Sequence, residues 1–267
     1  GQPTTNLTDQ EAALGWPITL SLASSLSVLS PRPLSFFSFE ADQWHFDELV
    51  WLLKFESRFV RGDQYAVALA LLDRGNVVLG VLACPNLPLT SISVAHPHSP
   101  NNEVGCLFFA EVGRGTYMQL LEGSSTVKVQ VSAVENPEEA SFFESYESAH
   151  SMHDLSSLIA QKLGVKAAPI RMDSQVKYGA LSRGDGAIYL RFPRNGYREK
   201  IWDHAAGSIV VTEAGGVVTD AAGKQLDFSK GKYLDLDTGI IVSNQKLMPL
   251  LFDAVRASLA QKSKPQP

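Results

Sequence analysis

The sequence has few cysteines and no excess of positive charge. Its 267 residues include two cysteines, Cys84 and Cys106, too few for a disulfide framework and typical of a reducing compartment. The formal net charge is −5, whereas general nucleic-acid binders are usually basic. We therefore expect no nucleic acid partner, and we expect any small anionic ligand to be held by local cationic groups. The hydrophobic fraction of 45% is ordinary for a globular protein of one large or two small domains.

Long hydrophobic runs are also missing. Residues 18–29 are apolar and serine-rich, but they are only about half of the roughly 20 residues that a membrane helix needs. A signal peptide requires a cationic stretch before its apolar region, and no such stretch precedes these residues. Arg32 is the one charged residue between positions 15 and 39, too few for a transit peptide. We therefore expect no membrane partner and no organelle targeting by this segment.

Residues 42–55 show helical spacing. Asp42 is suited to the N-cap, and one broad face would carry Phe46, Leu49, Val50, Leu52 and Leu53. The pattern predicts an amphipathic helix packed on the core. The alternative is that the stretch does not belong to the fold.

The next part of the chain predicts antiparallel strands. Residues 65–72 and 77–83 are apolar and flank Asp73-Arg74-Gly75-Asn76, which predicts a hairpin. A second hairpin is predicted for residues 105–110 and 115–121, and a further strand for 127–131. Cys84 ends one strand and Cys106 opens another. If these strands are neighbours, the thiols approach disulfide range and form a redox pair; the alternative is two buried thiols.

The second half alternates between strand and helix patterns, which is typical of an α/β fold. Strands are predicted for residues 141–145, 187–192 and 240–243. Helices are predicted from about residue 155 to Gly164, from Asp203 to Gly215, and over residues 245–261. Residues 263–267 are predicted to be a frayed tail.

Asp203 is the candidate for metal chemistry. A carboxylate at a helix N-terminus is favoured by the helix dipole, and the free N–H groups there suit phosphate. An aspartate in this place can hold Mg²⁺ against a phosphate oxygen. The alternative is an ordinary helix cap, because aspartate is among the best N-cap residues.

Several motifs in this half of the chain resemble one family. They are WDHAAG (202–207), EAGG (213–216), ESYESAHS (144–151), DSQVKYG (173–179) and LDLDTG (234–239). Together they resemble the inositol monophosphatase superfamily, and in particular its plant-type 3′(2′),5′-bisphosphate nucleotidase branch. The resemblance runs from about residue 59 to 262. It implies a layered αβαβα fold, with the rest of a first α/β domain at 59–140 and a second at 141–262.

The resemblance also implies an activity. Family members are Mg²⁺-dependent, lithium-sensitive phosphatases of sulfur metabolism that remove the 3′-phosphate of adenosine 3′,5′-bisphosphate, giving AMP and phosphate. Related substrates would be 3′-phosphoadenosine 5′-phosphosulfate and inositol phosphates. The implied nucleotide contacts are His150, Ser174, Lys177 and Arg191, and the implied metal ligand is Asp203. A monomer or weak dimer in the cytoplasm, a plastid or a mitochondrion is also implied.

The family's first metal signature, DPIDGTKG, is absent. Its eight places hold residues 51–58, so the two metal-binding aspartates fall on Trp51 and Lys54, and the threonine that helps to activate water falls on Glu56. The abrupt start of the match at Phe59 suggests an alternative exon or a frame-shifted gene model for residues 1–58. Two hypotheses follow: a bisphosphate nucleotidase, or a catalytically dead nucleotide-binding relative or truncated product.

Overall fold

The computed structural model describes residues 49–55, 64–91, 104–122, 125–146, 151–194 and 196–262. The strands are β1 (Leu49–Phe55), β2 (Val67–Asp73), β3 (Asn76–Pro88), β4 (Val104–Glu111), β5 (Gly115–Leu120), β6 (Thr126–Val129), β7 (Phe142–Glu144), β8 (Ile170–Arg171), β9 (Ile188–Arg191), β10 (Gly216–Asp220) and β11 (Ile240–Asn244). The helices are α1 (His153–Leu163), α2 (Val176–Ser182), α3 (Ala205–Glu213) and α4 (Met248–Lys262). The predicted tail and residues 1–48 lie outside the described residues.

The first sheet is antiparallel and has the strand order β1-β2-β3-β4-β5-β6. Both predicted hairpins are confirmed, β2–β3 around Arg74-Gly75 and β4–β5 around residues 112–114. The strand predicted at 127–131 is β6.

The predicted helix over residues 42–55 is wrong for its last seven residues. They form β1, which pairs with β2 from Leu49↔Asp73 to Phe55↔Val67. The sequence LVWLLKF is continuously apolar up to its lysine, so its pattern is compatible with a helix and with a strand. Pairing with β2 selects the strand. Residues 42–48 lie outside the described residues.

Cys84 and Cys106 are directly opposite each other on β3 and β4. Directly opposed residues of an antiparallel pair have Cα atoms about 4.5–5.5 Å apart, within the range that a disulfide spans. Both cysteines are buried and neither forms a disulfide, and burial raises the pKa of Cys106 despite the opposing effect of Arg183. The strand adjacency that a redox pair requires is therefore confirmed, while the redox pair itself stays a prediction.

The second sheet is mixed and has the order β10-β11-β9-β7-β8. β7 runs parallel to β8 and β9, whereas β11 is antiparallel to β9 and β10. The predicted strands at 141–145, 187–192 and 240–243 correspond to β7, β9 and β11.

Helix α3 lies between the two sheets. Its residues share a core with β2–β5 on one side and with β9–β11 on the other. Helices α1 and α4 pack against each other on the far face of the second sheet. The described residues thus provide a sheet–helix–sheet–helix arrangement, four layers of the expected αβαβα fold.

Helix α3 approaches β3 very closely at Gly80. A Cβ atom placed there would lie 2.4 Å from Cγ2 of Ile209 and 2.8 Å from the carbonyl oxygen of Ala206. Only glycine allows this contact, which fixes the position of α3 on the first sheet.

Two helices begin later than the sequence predicts. Residues Ile201–Asp203 form a single 3-10 turn, and α3 begins at Ala205 after His204, so Asp203 lies just before the helix rather than capping it. The last helix begins at Met248 instead of residue 245, because the Asn244 side chain accepts hydrogen bonds from the N–H groups of Lys246 and Leu247 and holds a turn. Helix α2, which had no clear periodic pattern, was not predicted.

Candidate active site

The candidate site lies at the N-terminal end of α3. Asp203 is half-buried there, and its backbone N–H donates to the carbonyl of Lys200, which closes the 3-10 turn. The first turn of α3 is held from the side by Gln175, whose Oε1 accepts from Gly207 N–H and whose Nε2 donates to the carbonyl of Trp202. The segment around Asp203 is therefore fixed on both sides by hydrogen bonds.

A buried polar network lies directly behind Asp203. Arg191 Nε and Nη2 donate to the two oxygens of Glu199, each at 2.7 Å. Glu199 Oε2 also lies 2.8 Å from His204 Nε2, and His204 Nδ1 lies 2.8 Å from the hydroxyl of Tyr178. Because a carboxylate is an acceptor, Nε2 of His204 carries the proton, and Nδ1 of a neutral ring accepts from Tyr178.

The network shifts the ionisation of its members. Burial raises the pKa of Glu199, but Arg191 and His204 outweigh this effect and hold that pKa well below its ordinary value. Burial raises the pKa of Tyr178 well above the usual range and that of Tyr189 to about 12, so both hydroxyls stay neutral. Glu199 is therefore an anion held between the Arg191 guanidinium and the N–H of His204. Because Glu199 precedes Asp203 and His204 follows it, their hydrogen bond holds the chain on both sides of Asp203.

Lys54 reaches the candidate site from β1. Its Nζ lies 3.5 Å from Oδ1 of Asp203, and both side chains are about one-fifth exposed, at 23% and 18%. The sequence resemblance places Lys54 where the family would have a metal-binding aspartate. The structure therefore brings together Lys54 and Asp203, two residues that the sequence singled out separately.

Cationic side chains surround the indole next to Asp203. Nζ of Lys200 and Nζ of Lys232 lie 5.5 and 5.3 Å from the ring centroid of Trp202. Lys232 also lies 5.7 Å from the ring of Tyr233, and the Arg198 guanidinium lies 4.4 Å from the same ring. The surface beside Asp203 is therefore positive and aromatic, which favours an anionic ligand.

Ser174 lies in the turn just before α2, Lys177 lies on α2, and Arg191 lies at the end of β9. Ser174 has φ 71°, and its Oγ accepts from Val176 N–H at the start of α2. Lys177 is 1% exposed, and its Nζ donates to the carbonyl of Met172 at 2.9 Å. Arg191 is buried on the bidentate pair with Glu199. These side chains are thus ordered by protein contacts, and their substrate role stays a prediction.

The side chains of three residues singled out by the sequence lie outside the described part of the structure. His150 and Glu56 lie outside the described residues. Trp51 lies on β1 opposite Leu71, but only its backbone is described.

The described residues do not by themselves complete a Mg²⁺ site. Mg²⁺ requires near-octahedral oxygen ligation, usually with carboxylates. The described part of the chain contains no group of three or more histidine, cysteine, aspartate or glutamate side chains that could hold a metal. Asp203, the predicted ligand, is paired instead with the ammonium of Lys54.

Glu199, His204 and Tyr178 were not identified from the sequence. His204 directly follows Asp203 in the WDHAAG motif, so its position was visible, but its partners were not. Glu199 lies in a polar loop whose other described members are exposed or half-buried, such as Arg198 and Lys200. A polar residue within such a loop gives no signal that its side chain turns inward.

Comparison with known sequences identifies relatives. The sequence profile of the inositol monophosphatase family matches residues 57–260. The protein named 3′(2′),5′-bisphosphate nucleotidase 1 from Arabidopsis thaliana is 77% identical over 208 residues, which cover 77% of this chain and 59% of the relative. The 3′(2′),5′-bisphosphate nucleotidase of Oryza sativa is 64% identical over 205 residues, 77% of this chain and 57% of the relative. The chain thus spans less than two thirds of the length of these relatives.

Solved structures show the same fold at low identity. The extragenic suppressor protein suhB from Bartonella henselae has a TM-score of 0.56 at 21% identity, covering 78% of this chain and 69% of that one. An inositol monophosphatase from Anabaena has a TM-score of 0.54 at 17% identity, covering 79% of this chain and 75% of that one. The expected α/β layered fold is confirmed. Among the described residues, no helix combines the length and the apolar character needed to cross a membrane.

Proposed function

Because the chain belongs to the inositol monophosphatase family, we propose that it hydrolyses the 3′-phosphate of adenosine 3′,5′-bisphosphate to give AMP and phosphate. The observation that carries this proposal is the 77% identity to a protein named 3′(2′),5′-bisphosphate nucleotidase 1. Substrates of the same chemistry are 3′-phosphoadenosine 5′-phosphosulfate and inositol phosphates. The phosphate-rich ligand matches the positive surface around Trp202.

In this proposal the nucleotide monophosphate part is bound by His150, Ser174, Lys177 and Arg191. The positions of three of these residues support this assignment. Helix α2 carries Lys177, follows Ser174 and packs on α3, and it also contacts β9, which ends at Arg191. The bidentate pair with Glu199 holds the plane of the Arg191 guanidinium in one orientation. A guanidinium held in one orientation loses little side-chain entropy when it donates to a phosphate oxygen.

Asp203 is the residue through which we propose that Mg²⁺ binds. When bound, Mg²⁺ would activate the attacking water and neutralise charge on the leaving oxygen. The described residues supply one carboxylate for it and place an ammonium beside that carboxylate. Further ligands would have to come from outside the described residues, where Glu56 and Asp63 lie.

Phosphate release tests the proposal. We would measure it from adenosine 3′,5′-bisphosphate, with Mg²⁺ and with EDTA, for the chain, for Asp203→Asn and for Asp154→Asn, an exposed control on α1. We expect Mg²⁺-dependent release from the chain and from the control, and its loss in Asp203→Asn. A folded chain that releases no phosphate above background contradicts the proposal.

The Lys54–Asp203 ion pair favours a second candidate function, nucleotide binding without turnover. The Lys54 ammonium beside Asp203, the predicted metal ligand, supplies positive charge that allows the site to hold an anion without a metal. Calorimetry with adenosine 3′,5′-bisphosphate in EDTA distinguishes the two functions. Binding in EDTA without turnover in Mg²⁺ supports the second function, and turnover in Mg²⁺ removes it.

A further inference from the structure

We propose that Lys54 is a tethered cation that competes with divalent metal for Asp203. The Lys54–Asp203 ion pair and metal ligation by Asp203 then exclude each other. This inference rests on the proposed placing of the site at Asp203, and it does not depend on turnover.

The first support is the fixed position of β1. The strand pairs with β2 over all seven of its residues, and Lys54 lies opposite Ala68. Alternate residues of a strand point to the same face, so Lys54 shares a face with Leu52. Leu52 is buried in the core that also contains α3, and β1 contacts the 3-10 turn that ends at Asp203. The register of β1 therefore directs the Lys54 ammonium to Asp203.

The second support is the partial burial of the pair. With roughly four fifths of each side chain covered, the ion pair is less screened by water than a surface pair. A lysine ammonium is a compact charge that interacts with one carboxylate oxygen, much as a small cation does. Its distance of 3.5 Å from Oδ1 leaves no space for a metal ion between the two groups.

The third support is charge. A divalent ion bound to Asp203 would lie near the Lys54 ammonium, whose Nζ is 3.5 Å from Oδ1, and like charges at short range repel strongly. The nearby Lys200 and Lys232 add positive charge to the same surface. Binding of a metal therefore requires displacement of the Lys54 ammonium.

Mn²⁺ binding to the full chain, followed by water proton relaxation, tests the inference without any enzymatic assay. We expect Lys54→Met to tighten Mn²⁺ binding at least about tenfold, because it removes one like charge beside the ligand. Lys54→Arg keeps the charge and should bind Mn²⁺ as weakly as the parent chain. Lys246→Met is a matched control, since that lysine is exposed and pairs with Glu135.

Asp203→Asn in the Lys54→Met background tests the place of the metal site separately from the competition by Lys54. Loss of the added Mn²⁺ binding supports the inference. Retention of that binding overturns the placing of the metal site at Asp203. Equal Mn²⁺ affinity in the parent chain and Lys54→Met overturns the competition itself. If Lys54→Met does not fold, as judged by circular dichroism, Lys54→Gln gives the same comparison with a polar side chain.

Discussion

Glu199 is the residue on which the order of the candidate site depends. It is buried, and it is hydrogen-bonded to both Arg191 and His204. Glu199→Gln removes the charge and leaves the Arg191 guanidinium buried without its bidentate carboxylate. We expect a loss of about 3–5 kcal/mol in the free energy of unfolding, the usual effect of removing one member of a buried ion pair. Urea denaturation measures it.

An exposed ion pair provides the control for this substitution. Glu138 pairs with Lys166 at 2.6 Å, and both side chains are more than half exposed. Glu138→Gln should change the free energy of unfolding by less than about 1 kcal/mol. A loss of the same size for both variants would contradict the special role of the buried pair.

The same carboxylate gives a pH dependence with a definite sign. The pKa of Glu199 is lowered in the folded state from its ordinary value of 4.5. Its contribution is therefore fully present above pH 4.5 and is lost as the pH falls below that value toward the folded-state pKa. Denaturation curves between about pH 3 and 7 should show a steeper acid loss for the parent chain than for Glu199→Gln. Parallel curves would show that another group is responsible.

At the scale of elements, the close contact between β3 and α3 makes a prediction about Gly80. The methyl group of Gly80→Ala would overlap with Ile209 and with the Ala206 carbonyl, so we expect a loss of about 1–3 kcal/mol in stability from overpacking. Adding Ile209→Ala removes the Cγ2 atom nearest to the new methyl group. The double variant should therefore lose less stability than the sum of the two single variants. Additive losses would show that α3 can move away from β3.

The elements also show how far local sequence determines the structure. The hairpins were predictable because Asp73-Arg74-Gly75-Asn76 sets a turn between two apolar runs. The strand at residues 49–55 was not predictable, because the choice between helix and strand there depends on pairing with β2. Asp203 was predictable from its motif, whereas Glu199 was not, because its partners Arg191 and His204 meet it only when the chain folds. Lys54 was noted as a substitution for a metal ligand, but its ion pair with Asp203 required the register of β1.

At the scale of the whole molecule, nucleotide binding should be visible as stability. A ligand that binds only the folded state stabilises it by about 2.7 kcal/mol at a concentration of 100 times Kd. We therefore expect adenosine 3′,5′-bisphosphate in EDTA to raise the melting temperature of the chain, and Lys177→Met to reduce that rise. Adenosine, which lacks phosphate, is the matched control ligand. An equal effect of adenosine would show that the phosphates are not recognised.

The far end of α3 is attached to the β4–β5 hairpin through Glu213. Its carboxylate accepts hydrogen bonds from Gly113 N–H at 3.0 Å and Gly115 N–H at 2.9 Å, which offsets the unfavourable position of an anion at a helix C-terminus. This contact recognises only the backbone of the turn. Both glycines have positive φ angles, 76° and 84°, and so resist replacement, whereas the exposed side chains of Val112 and Arg114 take no part in it. Among related chains, positions 112 and 114 are therefore expected to diversify freely, while 113, 115 and 213 change only together.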